Sequence, residues 1–220
     1  MEIKSPSLKM LAEVDKGIGW ITFNNPRLHN AMSMEMWQAL ADILKQLAED
    51  DSLRVVILKG AGSKAFVSGA DISEFGEKRD SQEQRDAYEA AFNEAQNALV
   101  SFKKPTIAMI QGFCVGGGLA LALSCDVRVA TEDSRFAIPA AKLGLGYSYD
   151  SIKTLTSIVG PSFAKDILFS ARFLESEEAL SIGLINQVVT REHLLGSVQE
   201  YASAVANNAP LTIGSVKTAV

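Results

Sequence analysis

Positive charge, cysteine and histidine are all scarce in this chain of 220 residues, and each shortage removes a class of function. The 21 Lys and Arg are outnumbered by 26 Asp and Glu, for a formal net charge of −5, which gives no support for nucleic-acid binding but leaves room for a local basic pocket for a phosphorylated ligand. Two cysteines, Cys114 and Cys125, and two histidines, His29 and His193, are too few ligands for a structural zinc site, so no metal is expected. Both cysteines fall in apolar runs, the pattern of reduced core thiols in a cytoplasmic protein rather than of a disulfide framework. No uninterrupted apolar run of about 18 residues suggests a membrane span. The opening MEIKSPSLKM also lacks the basic-then-apolar order of a secretion signal. A GxGxxG fingerprint and a GxSxG nucleophile elbow are missing, and GAGSK at 60–64 lacks P-loop spacing.

What is present reads as alternating short strands and helices in one main α/β domain. LKMLAEV and IGWITFN form a hairpin around Asp15, Lys16 and Gly17, followed by a loop, NNPRLHN. Ser33 is placed to cap a helix whose Met36, Leu40, Ile43, Leu44 and Leu47 make an apolar stripe. RVVILKG at 54–60 and PTIAMIQG at 105–112 are buried strands, and between them Tyr88, Phe92, Ala95, Leu99 and Phe102 share one face of a charged helix. DVRVATE and SRFAIP continue the strands, a helix covers about 151–170, Ser176 caps SEEALSIGL with Gly183 near its end, and a last helix spans about 191–207.

Two segments carry the chemistry. In QGFCVGGGLALALSCD, 111–126, Gly116, Gly117 and Gly118 open an apolar helix. Bare backbone there leaves N–H groups unoccupied at the positive end of the helix, although tight helix-to-sheet packing would also select glycine. FVSGAD, 66–71, is a second small-residue loop after a strand. Two such loops can aim two N–H groups at one oxygen, an oxyanion hole. Neither loop has the nearby histidine of a serine triad.

These segments, with their neighbours, resemble the crotonase superfamily, also called the enoyl-CoA hydratase/isomerase family. The likeness rests on ITFNNPRLHNAMS, KAFVSGADISEF, PTIAMIQGFCVGGGLALALSCDVRVATEDSRFAIPAAKLGLG and EEALSIGLINQVV, in that order. It implies a spiral of ββα turns (1–190) with a C-terminal helical lobe (191–220, shorter than is usual), assembled as a homotrimer or dimer of trimers. It also implies an acyl-CoA thioester as ligand, with coenzyme A part of the substrate and no separate cofactor. By the resemblance Ala70 and Gly117 donate to the thioester oxygen, and Arg27, Ala31, Lys64, Ala65, Ser68, Asp71 and Ile72 are candidate coenzyme A contacts. Solvated loop charges (Arg27, Lys64), a turn cap (Asp71) and small packing (Ser68) are the plainer alternatives.

Hydratases of the family use two glutamates at positions occupied here by Ala120 and Ala140. Without a carboxylate pair the usual acid/base apparatus is lost, so isomerase- or decarboxylase-type chemistry is expected over hydration, with a non-catalytic thioester-binding protein as the alternative. KLGLGYSYDSIKTL, 142–155, is similar to the matching loop of methylmalonyl-CoA decarboxylases, which have a tyrosine at Tyr147, though they carry histidine where this chain has Ala70. Tyr147 is thus a catalytic candidate or a packed aromatic, and Asp150 an acid/base group or a helix N-cap. Cys114 lines the same turn, as an acyl-chain contact or a small core residue.

Overall fold

The computed structural model describes residues 3–71, 74 and 82–220. Its strands are β1 (Met10–Asp15), β2 (Ile18–Phe23), β3 (Val55–Gly60), β4 (Ala65–Val67), β5 (Thr106–Ile110), β6 (Phe113–Val115), β7 (Val127–Thr131), β8 (Arg135–Ala137), β9 (Leu174–Glu175) and β10 (Gln187–Val189). The helices are α1 (Met34–Ala48), α2 (Gln82–Val100), α3 (Gly117–Ser124), α4 (Ala140–Leu143), α5 (Tyr149–Ser170), α6 (Ser176–Ser181), α7 (Leu194–Asn207) and α8 (Pro210–Ala219). A six-stranded sheet has the order β1-β2-β3-β5-β7-β10, parallel beyond the β1–β2 hairpin. A smaller sheet has the order β4-β6-β8-β9, of which only the β8–β9 pair is antiparallel. The chain therefore visits the large sheet, then the small sheet, in successive turns: β3 then β4, β5 then β6, β7 then β8. This is the α/β spiral expected from the sequence.

Side-chain alternation explains why the central strands are continuously apolar. Val56, Leu58, Ala108 and Ile110 face the main core with α1, α2 and α3, while Val55, Ile57, Ile107 and Met109 face the other way and pack with Leu194, Val198 and Ala202 of α7. Both faces of a sheet covered by helices leave no polar face to alternate with. Cys114 and Cys125 are free and buried, and burial raises both thiols, Cys125 to about 12.

Where α3 crosses β4, backbone packs close to backbone. A Cβ on Gly118 would lie 2.2 Å from the Val67 carbonyl oxygen, inside any allowed contact, so the packing role for these glycines holds at Gly118. Ser33 caps α1 as expected, its Oγ accepting from Met36 N–H at 3.3 Å, and the Glu74 carboxylate accepts the Met34 N–H at 2.9 Å.

Three sequence expectations are corrected. Glu175, not Ser176, holds the N-cap position of α6, and the buried Ser176 hydroxyl instead donates to the Thr131 and Ser134 carbonyls, closing the β7–β8 turn. Ser148, not Asp150, caps α5 by accepting from Ser151 N–H; Asp150 lies in the first turn. The helix ending at residue 207 is not the last, because Pro210 starts α8, whose Lys217 Nζ reaches Asp126 at 2.7 Å and the Lys104 carbonyl at 2.9 Å. Pro at the first helical position is a start signal rather than a breaker. In addition, β6 intervenes between the glycine at 112 and the glycine run, a strand too short to show a period.

Gly118→Ala should cost about 1–3 kcal/mol or more in urea unfolding, since the clash is with backbone. Gly214→Ala in α8, where a Cβ meets nothing within 4 Å, should stabilise by about 0.4–1 kcal/mol. A thiol reagent at neutral pH should leave both cysteines unmodified in the folded protein and label two per chain once it is unfolded.

Candidate active site

Small residues at two strand ends bring two peptide units together. Met32 N–H donates to the Gly69 carbonyl at 2.8 Å and Asp71 N–H to the Met32 carbonyl at 2.9 Å, forming a parallel bridge centred on Ala70. Strand alternation then turns the Ala70 N–H away from Met32. On the other segment Gly116 N–H donates to the Ala137 carbonyl at 2.8 Å, and Gly116 has φ 55° and ψ −118°, a conformation that L side chains rarely adopt. Gly117 follows as the first residue of α3, where the N–H has no intrahelical acceptor. A Cβ on Gly116 would sit 3.9 Å from Gly69 Cα, so the peptide units bearing the Ala70 and Gly117 N–H groups are neighbours. Among the described residues neither N–H has a protein acceptor.

One aromatic pair supports both halves. The Trp37 ring lies 3.3 Å from where a Gly117 Cβ would be and packs edge-on against Phe92. Trp37 Nε1–H donates to Tyr88 Oη at 2.8 Å, and the Tyr88 hydroxyl donates to the Met32 carbonyl at 3.4 Å, the carbonyl that also receives Asp71 N–H. Sequence periodicity placed Tyr88 and Phe92 on the packed face of α2 without revealing that they grip this loop.

Past the donors the site is apolar. Ala120, one helical turn after Gly117, is buried, Ala140 opens α4 half-buried, and Cys114 is buried on β6. Tyr147 packs against this core, and its Oη is buried with no hydrogen-bond partner among the described residues. Burial, with Cys114 nearby, pushes the phenol above its ordinary pKa, so it stays a protonated donor.

The other candidates divide. Arg27 and Lys64 are exposed, and Ser68 is half-buried with its hydroxyl donating to the Leu28 carbonyl at 3.4 Å. Asp71, Ala31 and Ala65 are buried, and the Ala65 carbonyl accepts from Asn30 Nδ2 at 2.8 Å. Asp150 is exposed. Ile72 lies outside the described residues. Among the described residues no three His, Cys, Asp or Glu side chains are grouped to hold a metal ion, and no helix is long and apolar enough to cross a membrane.

Known proteins resemble this chain in sequence and fold. The family model for enoyl-CoA hydratase/isomerase matches residues 13–220. A short-chain-enoyl-CoA hydratase of Clostridium acetobutylicum is 33% identical over 211 residues, 96% of this chain and 80% of the relative. A carnitinyl-CoA dehydratase of Citrobacter koseri is 31% identical over 201 residues, 90% of this chain and 74% of its own. A crystal structure of an enoyl-CoA hydratase/carnithine racemase from Magnetospirillum magneticum superimposes with a TM-score of 0.93 at 34% identity, covering 97% of this chain and 80% of that one. With the spiral fold and the paired strand-end loops already in place, these matches settle its kinship: the chain belongs to the enoyl-CoA hydratase/isomerase family of the crotonase superfamily.

Proposed function

We propose that this protein is an acyl-CoA-processing enzyme that holds a thioester carbonyl between the Ala70 and Gly117 N–H groups and uses Tyr147 where hydratases use glutamates. The observation that carries this reading is the buried Tyr147 hydroxyl, with no hydrogen-bond partner among the described residues, in a chain whose positions 120 and 140 are alanine. Hydration needs one group to activate water and another to deliver a proton, and two methyl side chains do neither. Decarboxylation asks for less. The bond from the α carbon to a carboxyl carbon breaks, carbon dioxide leaves, and the electron pair moves into the thioester, whose oxygen carries the enolate charge under the two N–H donors. A neutral phenol orients the acyl group, and a proton, ultimately from solvent, returns to the α carbon. Isomerisation through the same enolate is the related alternative within this site.

Arg27 and Lys64, exposed beside the loop that carries the donors, are proposed to hold the phosphates of coenzyme A, with Ala31, Ala65, Ser68, Asp71 and Ile72 around them. A homotrimer or dimer of trimers is proposed because the family resemblance implies it, and the exposed aromatics at the small sheet are offered as part of its interface: the Phe113 ring stacks on His29 at 6.2 Å and meets Phe173 at 6.0 Å. Phe113 and Phe173 are 39% and 48% exposed, a large area to leave in water. A cytoplasmic location is proposed from the two unpaired thiols.

Turnover of malonyl-, methylmalonyl- and enoyl-CoA esters is the test. Decarboxylation or double-bond migration should far exceed hydration of crotonyl-CoA, and efficient, pH-dependent hydration would defeat the proposal. Thioester binding without turnover would instead favour the non-catalytic reading. Tyr147→Phe should lower kcat by about tenfold to a hundredfold with thioester affinity held within a few-fold. Sedimentation should give a mass of three or six chains, and Phe113→Lys with Phe173→Lys should shift it toward one.

A further inference from the structure

We infer that Gln96 is a positioning residue that sets Tyr147 against the Gly117 donor through a buried hydrogen-bond chain linking three helices. The inference rests on the reading of Tyr147 given above. Gln96 lies on α2 and is 7% exposed. Its side-chain Nε2 donates to Ser124 Oγ on α3 at 3.3 Å and to Ser151 Oγ on α5 at 3.4 Å. From Ser124 the chain continues inward: that hydroxyl donates to the Ala120 carbonyl at 2.9 Å, one turn from Gly117. From Ser151 it continues the other way, because Ser148 Oγ donates to Ser151 Oγ at 2.8 Å and accepts the Ser151 N–H at 3.3 Å. Ser148 directly follows Tyr147 and caps α5.

On the preceding side the hold is backbone alone, Leu145 N–H donating to the Ala140 carbonyl at 3.0 Å. The residues from 141 to 146 are exposed, and Gly144 and Gly146 have no atom within 4 Å of an added Cβ. The phenol is therefore placed from its C-terminal side, by the start of α5. A neutral amide offers two diverging N–H donors to two serine oxygens on different helices without burying a charge; an ionised carboxylate donates none and an aliphatic chain leaves both oxygens short of a partner. Buried donors and acceptors of this kind either specify one arrangement or, half-satisfied, loosen it.

The test is a double-mutant cycle of Gln96→Leu with Tyr147→Phe, alongside Ser101→Ala, exposed just past the end of the same helix, as a control. If Gln96 acts through Tyr147, Gln96→Leu should lower kcat by about tenfold to a hundredfold with KM little changed, and should cost nothing further once Tyr147 is Phe. Equal losses in both backgrounds would overturn the inference. A second readout needs no turnover. In protein labelled with fluorotyrosine, the Tyr147 fluorine resonance, assigned by its loss in Tyr147→Phe, should shift in Gln96→Leu but not in Ser101→Ala, while those of Tyr149 and Tyr201 stay in place. An unmoved Tyr147 resonance would overturn it. If Gln96→Leu does not fold, Gln96→Glu, of the same shape, serves in both arms. Unchanged turnover in Tyr147→Phe would sink the proposed role of Tyr147, and the fluorine result would then decide the placement by Gln96 alone.

Discussion

The side-by-side placement of two peptide units, Gly69–Ala70 and Gly116–Gly117, is the constraint around which the chain is arranged: a Cβ on Gly116 would touch Gly69 Cα at 3.9 Å. It requires two loops from different turns of the spiral to meet. The small sheet sets the distance: β4 and β6 are hydrogen-bonded neighbours, so the segments leaving them run side by side. The ends are then fixed separately, Ala70 by its bridge to Met32 and Gly117 by the Gly116 link to Ala137. Trp37 and Tyr88 touch both arrangements, coupling α1 and α2 to a geometry neither contributes backbone to.

Much of this was legible from residue types. The apolar stripe of α1, its Ser33 cap, the β1–β2 hairpin and the doubly apolar central strands follow from local pattern, and the two small-residue loops stood out by composition before any geometry. Short elements were not legible. A three-residue strand such as β6 has no period, and its membership in a second sheet is decided by partners at β4 and β8 that lie far along the chain. Caps failed where tertiary demand outranked local preference. Ser176 has the right chemistry for a cap, but its hydroxyl is taken by the turn it must close, and Ser148 assumed the role expected of Asp150 two residues later. The chain Ser148–Ser151–Gln96–Ser124 could not be found by spacing, since it joins three helices.

Among the described residues, the positions past the two N–H groups are alanines, a thiol and a phenol, and burial pushes both ionisable groups toward their neutral forms. The two N–H groups and the start of α3 present fixed dipoles there. Fixed dipoles in a dry site stabilise developing charge without the reorganisation that water requires.

The central strands carry one more consequence. Because β3 and β5 are apolar on both faces, sliding β5 by one residue would still bury oil against oil: Ala108 and Ile110 would face α7, and Ile107 and Met109 the main core. Hydrophobicity, which usually polices strand register, is nearly blind here. The glycines are not. At Gly60 a Cβ would come within 2.2 Å of the Ala65 carbonyl oxygen, and at Gly112 within 2.1 Å of that of Lys64, so a slip that delivered Gln111 or Phe113 to the second position would collide. Two hydrogen atoms standing where side chains would be thus act as detents, and the alignment of the distant Ala70 and Gly117 donors is inherited from them.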